Sequence, residues 1–555
     1  MSLLFDILAY LGVLVDGLAM ITQAMTLGGI AFLIFLAQPH EMALGALGSA
    51  IIQRTRRILV WSAMGLALMV ATRALLLSNV LAGTAGMTLA ATLGATFVRS
   101  GVVIVVAALL TVGVVLSRLD QHRPLLLPLA VCMILGAVSQ LTHGAARLDD
   151  RWPLMMMMIV HLAAAATWIG GLPYFLAAMA KARDDHVAGH RIGSRFSLMA
   201  MISVFALAGS GIGMGLTYID SVEAITGTAY GATLFTKVLL FLGILGFGLR
   251  NMLIVHNLRR SPHAPALALR RYAEVELGIG VAIFLTAASM TSLPPAVDLQ
   301  HDRVTLTELA GRLAPSFPQL VSPEHSTLAI PQLEAKRLAA ADSAYLPTAY
   351  VPTAYVPGAG VTVPPTAGDI AWSEYNHHWA GIILMVIGLC ALLARTGTVA
   401  MARHWPLLFV GLALFVIIRS DPEAWPLGSF GFWETLRDPG VALNRICALL
   451  PLIFGLCEWL VQIGILKSPR AALVFPLLVA AGGTIMLTHA HSLGNLRQEL
   501  LIEWNYIPIA VLGIASGWAR WLELRLPPPR GRPYGWLWPV LFIAIGAILL
   551  NYREV

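Results

Sequence analysis

Long apolar runs recur along nearly the whole chain, and each is about 18–30 residues, enough to cross a bilayer as a helix. Composition agrees. The chain is 58% hydrophobic and 12% charged, with a mean hydropathy of +0.78, whereas a soluble domain carries roughly 25% charge. The first run is long and has no basic stretch before it, so it reads as a retained span rather than a cleaved signal. The predicted fold is an all-α polytopic membrane protein.

Spans are expected near 8–37, 57–78, 98–117, 124–142, 153–180, 196–217, 230–256 and 272–293, then near 377–395, 404–419, 442–465, 471–489, 505–522 and 534–551. That makes about 14 transmembrane helices, eight and six, on either side of a long break. The predicted organisation is an eight-helix membrane domain (1–295), a Pro/Ala-rich linker (296–371) and a six-helix membrane domain (372–555).

Lys and Arg placement sets the orientation. Alternate connections are basic, as at Arg54-Thr-Arg56-Arg57, at Lys181 to Arg195, at Arg250 to Arg271 and at Arg520 to Arg532. The connections between them are acidic or balanced, as at Asp149–Asp150 and Asp220–Glu223. Of 36 Lys and Arg, 22 fall on one side, which is therefore read as cytoplasmic, with both termini periplasmic. The net charge of +7 belongs to these anchoring loops, and no basic and aromatic stripe points to nucleic acid.

The long connection contains a quasi-repeat, Ala344-Tyr-Leu-Pro-Thr, Ala349-Tyr-Val-Pro-Thr and Ala354-Tyr-Val-Pro-Gly. Repeated Pro favours extended chain over a folded domain, so a linker is expected, with short helices around 304–313 and 331–341. Cys132, Cys390, Cys447 and Cys457 all sit in apolar segments without a C-x-x-C pair, which argues against a zinc ribbon or a disulfide framework.

Once the spans are drawn, the fifteen histidines sort by side. His40, His122, His186, His190, His256, His263 and His404 fall inside, mostly in basic loops facing water or lipid headgroups. His143, His161, His301, His325, His377, His378, His489 and His491 fall outside or near that face. His161 lies within an apolar span, where an ionisable group is costly and usually functional. Met157 and Met158 precede it by four and three residues, so all three share a helix face. Imidazole and thioether suit Cu(I), although consecutive methionines also serve as gap-filling apolar residues. Ala163–Ala166 and Gly170–Gly171 let a neighbouring helix approach closely. His143, across a short loop, is a further candidate ligand.

In the second half, Glu374-Tyr-Asn-His377-His378-Trp-Ala-Gly381 opens a span and Thr488-His489-Ala-His491-Ser492 closes another at the same face. His-x-His is a recurrent metal-binding spacing, strengthened by a His-His pair at equal depth. Glu499, Glu503 and Asn505 are candidates to orient these imidazoles. Asp16, Lys237 and Glu458 are polar groups within spans; Glu458 and Arg73 are expected in structural polar pairs. The glycines at 209, 211, 213 and 215 fit helix contact better than phosphate binding.

The segment His161-Leu-Ala-Ala-Ala-Ala-Thr-Trp-Ile-Gly-Gly-Leu, with Arg195-Phe-Ser197, Tyr230-Gly231, Lys237 and Arg270-Arg271 before Glu276, resembles the copper resistance protein D (CopD) family over roughly residues 1–295. The second half, with its His377-His378 and His489-Ala-His491 strings, resembles the C-terminal extension of a long subgroup. Family members often carry His where this chain has Asn505, so no ligand role is carried over to that position.

The resemblance implies copper movement across the bacterial cytoplasmic membrane, beside a small periplasmic copper-binding partner of the CopC type. The outward histidines favour import. His377, His378, His489 and His491 would collect the ion, and His161 with Met157 or Met158 would hold it at the membrane entrance through weak, successive sites. No Walker motif is present, and no catalytic residues are assigned, so a non-enzyme without nucleotide is expected. The main rival is a b-type haem electron-transfer protein, with axial pairs His378–His489 or His143–His161. A third reading is an assembly or sensory scaffold whose long loop docks a partner.

Overall fold

The computed structural model describes residues 2–85, 88–117, 123–260, 266–301, 303–328, 366–422, 424–428, 431–436, 439–488 and 497–554. Among them no strand occurs. The principal helices are α1 (Ser2–Phe32), α2 (Ala46–Ala85), α3 (Thr96–Leu116), α4 (Arg123–Ser139), α5 (Arg151–Ala165), α6 (Leu172–Lys181), α7 (His186–Tyr218), α8 (Ala229–Arg260) and α9 (Leu267–Thr291). They are followed by α10 (Ala367–Thr396), α11 (Leu407–Arg419), α12 (Pro439–Gln462), α13 (Val474–Met486), α14 (Arg497–Arg525) and α15 (Arg532–Leu550).

Eleven helical segments among the described residues are long and apolar enough to cross a membrane. Three more apolar helices, Pro124–Ser139, Leu407–Arg419 and Ala471–Met486, are shorter and coincide with the expected fourth, tenth and twelfth spans. At 1.5 Å per residue the 13 residues of α11 reach only about 20 Å, short of a hydrocarbon core of about 30 Å. The chain around α11 explains its length: Pro406 opens the helix, and Ser420, Asp421 and Pro422 follow its end. In the long connection, a helix forms at Leu306–Leu313, where Thr305 and Glu308 make a capping box. The second expected helix and the Pro-rich quasi-repeat lie outside the described residues.

The chain divides into two compact units, one of residues 8–225 and 233–300, the other of residues 1–7, 226–232 and 301–555. In the former, α2 lies on α3, α3 on α4, and α5 on α7. Its core is built from small side chains, with Ala63, Ala107, Ala108 and Ala130 completely buried beside Leu66 and Ile134. Without a hydrophobic driving force between helices in lipid, such residues gain contact by letting backbones approach.

The closest approach lies where α1 crosses the joint between α5 and α6. There Ala166–Gly170 form a single π turn, and Thr167 Oγ1 donates to the Ala163 carbonyl at 2.8 Å. A Cβ on Gly170 would overlap the Ala24 carbonyl, and one on Gly28 would overlap that of Ala166. Tyr174, one turn on, donates to the Met25 carbonyl at 2.9 Å and lies 3.0 Å from Ser62 Oγ on α2.

In the other unit, α10 lies along α15, and α14 along α13 and α15. Gly381 and Gly546 face each other across the first of these contacts. Trp405, Phe409, Phe475, Trp538 and Phe542 form a ring-on-ring core with centroids 5.2–6.3 Å apart.

Replacing Gly170 by Val is expected to lower stability by about 1–3 kcal/mol, because the added carbons meet backbone that cannot move aside. Gly113, with open space around it, should accept Ala with almost no change. Thermal unfolding of the two purified variants in one detergent checks the pair, and equal midpoints would refute the close crossing.

Candidate functional site

His161 sits ten residues into α5, about 15 Å along the helix from Arg151. Its Nδ1 lies 3.2 Å from Ser210 Oγ on α7. Ser210 gives its own proton to the Ala206 carbonyl at 2.7 Å, which leaves an oxygen lone pair facing the ring. The Leu207 carbonyl, 3.2 Å from the same hydroxyl, is a second acceptor for the imidazole. With acceptors on that side, Nδ1 carries the proton and Nε2 keeps its lone pair. Among the described residues no hydrogen bond reaches Nε2.

Met157 lies one turn before His161, and the two share a floor on α7. A Cβ on Gly211 would touch His161 Cε1 at 3.5 Å, and one on Gly213 would come within 2.8 Å of Met157 Sδ. These two glycines are what allows ring and thioether to lie against the helix. The arrangement offers one imidazole nitrogen and one thioether sulfur inside an apolar span, a donor set that fits a soft monovalent cation such as Cu(I). Met158 is half-buried on the same helix, three residues before His161.

Lys237 on α8 is close enough for its charge to act on His161. Its Nζ donates to Met290 Sδ on α9 at 3.6 Å, and no carboxylate pairs with it among the described residues. An ammonium here opposes a cation at His161, so ligand bonds rather than charge must hold the ion. His143 lies in a short helix, His143–Ala146, where its ring hydrogen-bonds to the Met290 backbone. Met290 thus touches both Lys237 and His143.

Deeper in the same unit, Glu276 is 3% exposed and accepts from Trp168 Nε1 at 3.2 Å and Asn251 Nδ2 at 2.6 Å. Neutral donors alone hold this carboxyl group. Asp16 pairs with Arg73 at 2.7 Å, and Glu458 pairs with Arg520 at 2.8 Å, so both polar groups expected in structural pairs have them.

His377 and His378 have a different character. His378, 1% exposed, accepts at Nδ1 from the Gln319 backbone N–H (2.7 Å) and donates from Nε2 to the Tyr552 carbonyl (2.8 Å). Both ring nitrogens are therefore spent. His377 donates from Nδ1 to the Ser373 carbonyl (2.8 Å), accepts at Nε2 from Tyr506 (2.8 Å) and stacks on Tyr552 at 3.8 Å. Glu554 receives the hydroxyls of Tyr552 and Ser373. The pair knits α10, α14 and the chain beyond α15 together. An axial haem ligand at His378 would have to displace at least one of these bonds.

His489 and His491 lie outside the described residues, as does the side chain of Glu499. Asn505, 2% exposed, donates to the Leu501 carbonyl at 3.1 Å within its own helix. Among the described residues no three His, Cys, Asp or Glu converge on a metal position. Sequence reading missed Ser210 and Met290, and placed Gly211 and Gly213 at a helix contact without naming His161 and Met157 as what they face. The glycines carried a signal in their alternate spacing, whereas a lone Met or Ser at a helix face carries none.

Fold and site together define a multi-pass helical membrane protein with an imidazole and thioether pair inside one span. Residues 190–290 match the family model described as Copper resistance protein D. The stretch holds Ser210, Gly211, Gly213, Lys237, Glu276 and Met290, whereas Met157 and His161 precede it. The chain is also 30% identical over 155 residues to the copper transport protein CutJ of Bacillus subtilis (strain 168). That alignment covers 28% of this chain and 28% of the relative. No solved structure matches the chain.

Two outcomes follow from the histidine environments. His378→Ala leaves a buried N–H and a carbonyl without partners, and should cost about 1–3 kcal/mol for each group. Chemical unfolding of the purified variant beside the intact protein checks it, and equal midpoints would refute the bracing role. Burial, the largest influence, lowers the His143 pKa from the usual 6.5, against the Met290 hydrogen bond and Asp298. The unfolded chain then takes up the proton first, so stability is lost as pH falls below 6.5 toward the folded value. His143→Gln should flatten the fall in melting temperature between pH 7.5 and 5, and an unchanged slope would contradict it.

Proposed function

We propose that this protein moves copper across the bacterial cytoplasmic membrane, with import from the periplasm favoured over export, and so contributes to copper homeostasis and resistance. The observation that carries this reading is His161, with no hydrogen bond at Nε2 among the described residues and Met157 one turn before it, both lying against a helix of the copper resistance protein D stretch. The relative's description as a copper transport protein supports the same cargo. The protein acts as a transporter rather than an enzyme, since a donor pair of this kind binds and releases an ion without covalent chemistry.

Orientation by the Lys and Arg rule turns His143, His161 and the His489-Ala-His491 string toward the periplasm, with both termini on that side. Ions would be received there from a copper-binding protein of the CopC type and passed to His161 and Met157. A thioether and a single imidazole bind weakly enough to release the ion onward, which conduction through successive sites requires. Lys237 favours release, because its charge opposes the cation at every moment of occupancy.

Cellular copper, measured in cells with matched membrane levels of each variant, tests the proposal. His161→Ala and Met157→Leu should each abolish the protein-dependent change. Ser210→Ala should weaken it about 10-fold, as for loss of a group that orients a ligand. The sign of the change gives the direction, and a His489→Ala/His491→Ala variant tests the entry string. Copper unchanged by the intact protein, or a haem absorption band in the purified protein, would overturn this reading in favour of a b-type haem protein.

A further inference from the structure

At the basic end of α7 and α8 a cleft of about 790 Å³ opens between these helices and the turn that follows α1. Its volume is that of an ordinary small-molecule site. Its walls are graded along the membrane normal. Near the helix ends it is lined by Arg191, Ser194 and Arg195 of α7, with His190, His40 and His256 around them. Further along α7, seven and ten residues (about 10 and 15 Å) past Arg191, it is lined by Leu198 and Met201, faced by Met252 and Leu253 of α8. No carboxylate appears among the described residues that line it.

The cationic groups are held in place yet keep capacity for a ligand. Arg191 and Arg195 are one turn apart on the same face. Each uses a single described bond, Arg191 to the Ala43 carbonyl at 3.2 Å and Arg195 to the Phe35 carbonyl at 3.4 Å. A guanidinium has five N–H donors, so most remain available. His190 is bonded to Ser194 at 3.2 Å and His40 to the Leu36 carbonyl at 2.9 Å, which fixes both rings at the rim. The apolar end is open: Leu198, Met201, Met252 and Leu253 are all 41–51% exposed. An occupant must therefore be an amphiphile, anionic at one end and apolar beyond it, lying parallel to the helices.

We propose that this cleft binds an anionic phospholipid, its phosphate held by Arg191 and Arg195 and its acyl chains laid along Leu198, Met201 and Leu253. Basic pockets between membrane helices on the cytoplasmic side suit such headgroups, and two anionic leaflet contacts of this kind are each worth about tenfold or less in affinity. The lipid seats the end of α1 against α7 and α8, because both arginines also hold carbonyls of that connection.

The test uses the full chain purified in detergent, delipidated, and heated with added lipid. Phosphatidylglycerol should raise the melting temperature, and phosphatidylcholine should not. In Arg191→Gln/Arg195→Gln the concentration giving half the shift should rise about 10- to 30-fold. Arg191→Lys/Arg195→Lys, which keeps the charge, should retain most of the effect, and it guards against a misfolded double variant. Arg183→Gln, outside the cleft, should leave the response unchanged. Equal stabilisation by both lipids, or a response the Gln pair does not weaken, would overturn the proposal. Full stabilisation by inorganic phosphate alone would overturn it too, by assigning the cleft to a free anion.

Discussion

Everything in this structure follows from the cost of a polar group without a partner in an apolar interior. Backbone groups meet the requirement by forming helices. Side chains meet it in pairs: Asp16 with Arg73, Glu458 with Arg520, and Glu276 with Trp168 and Asn251. His378 has both nitrogens bonded, and His377 likewise. In His161 Nδ1 is satisfied by Ser210, while no hydrogen bond among the described residues reaches Nε2. A nitrogen kept open inside a span is a binding group for whatever arrives there.

The same rule separates two kinds of histidine that look alike as letters. His377 and His378 stand together at a span end, as metal ligands often do, yet their nitrogens tie three segments of backbone and side chain. Their hydrogen bonds hold both rings in place. His161 has one bond that orients the ring and one free nitrogen, with Met157 on the same helix and Lys237 placed to weaken cation binding.

Close approach between helices is the second condition. Gly28 and Gly170 bring α1 against the α5–α6 joint, and Gly211 and Gly213 make room for His161 and Met157 on α7. A larger residue at either of the latter positions would push the ring and the thioether off the helix that orients them. Small residues therefore act twice, in assembling the helices and in shaping the site.

Much of the architecture was legible in the chain itself. Apolar run length gave the membrane class and the positions of the helices, because span length is set by bilayer thickness and rise per residue. At two of the three shorter helices the apolar run outlasts the helix, through Pro406 and into the loop after Ser139. Helical spacing alone placed Met157 and Met158 on the face of His161. Tertiary structure decided what those letters do. Only a neighbouring helix could supply Ser210 to fix the imidazole tautomer, bring Met290 to Lys237, or occupy both nitrogens of His378. Hydrogen-bond partners more than 40 residues apart leave no periodic trace in sequence, and they determine whether a buried histidine is a brace or a ligand.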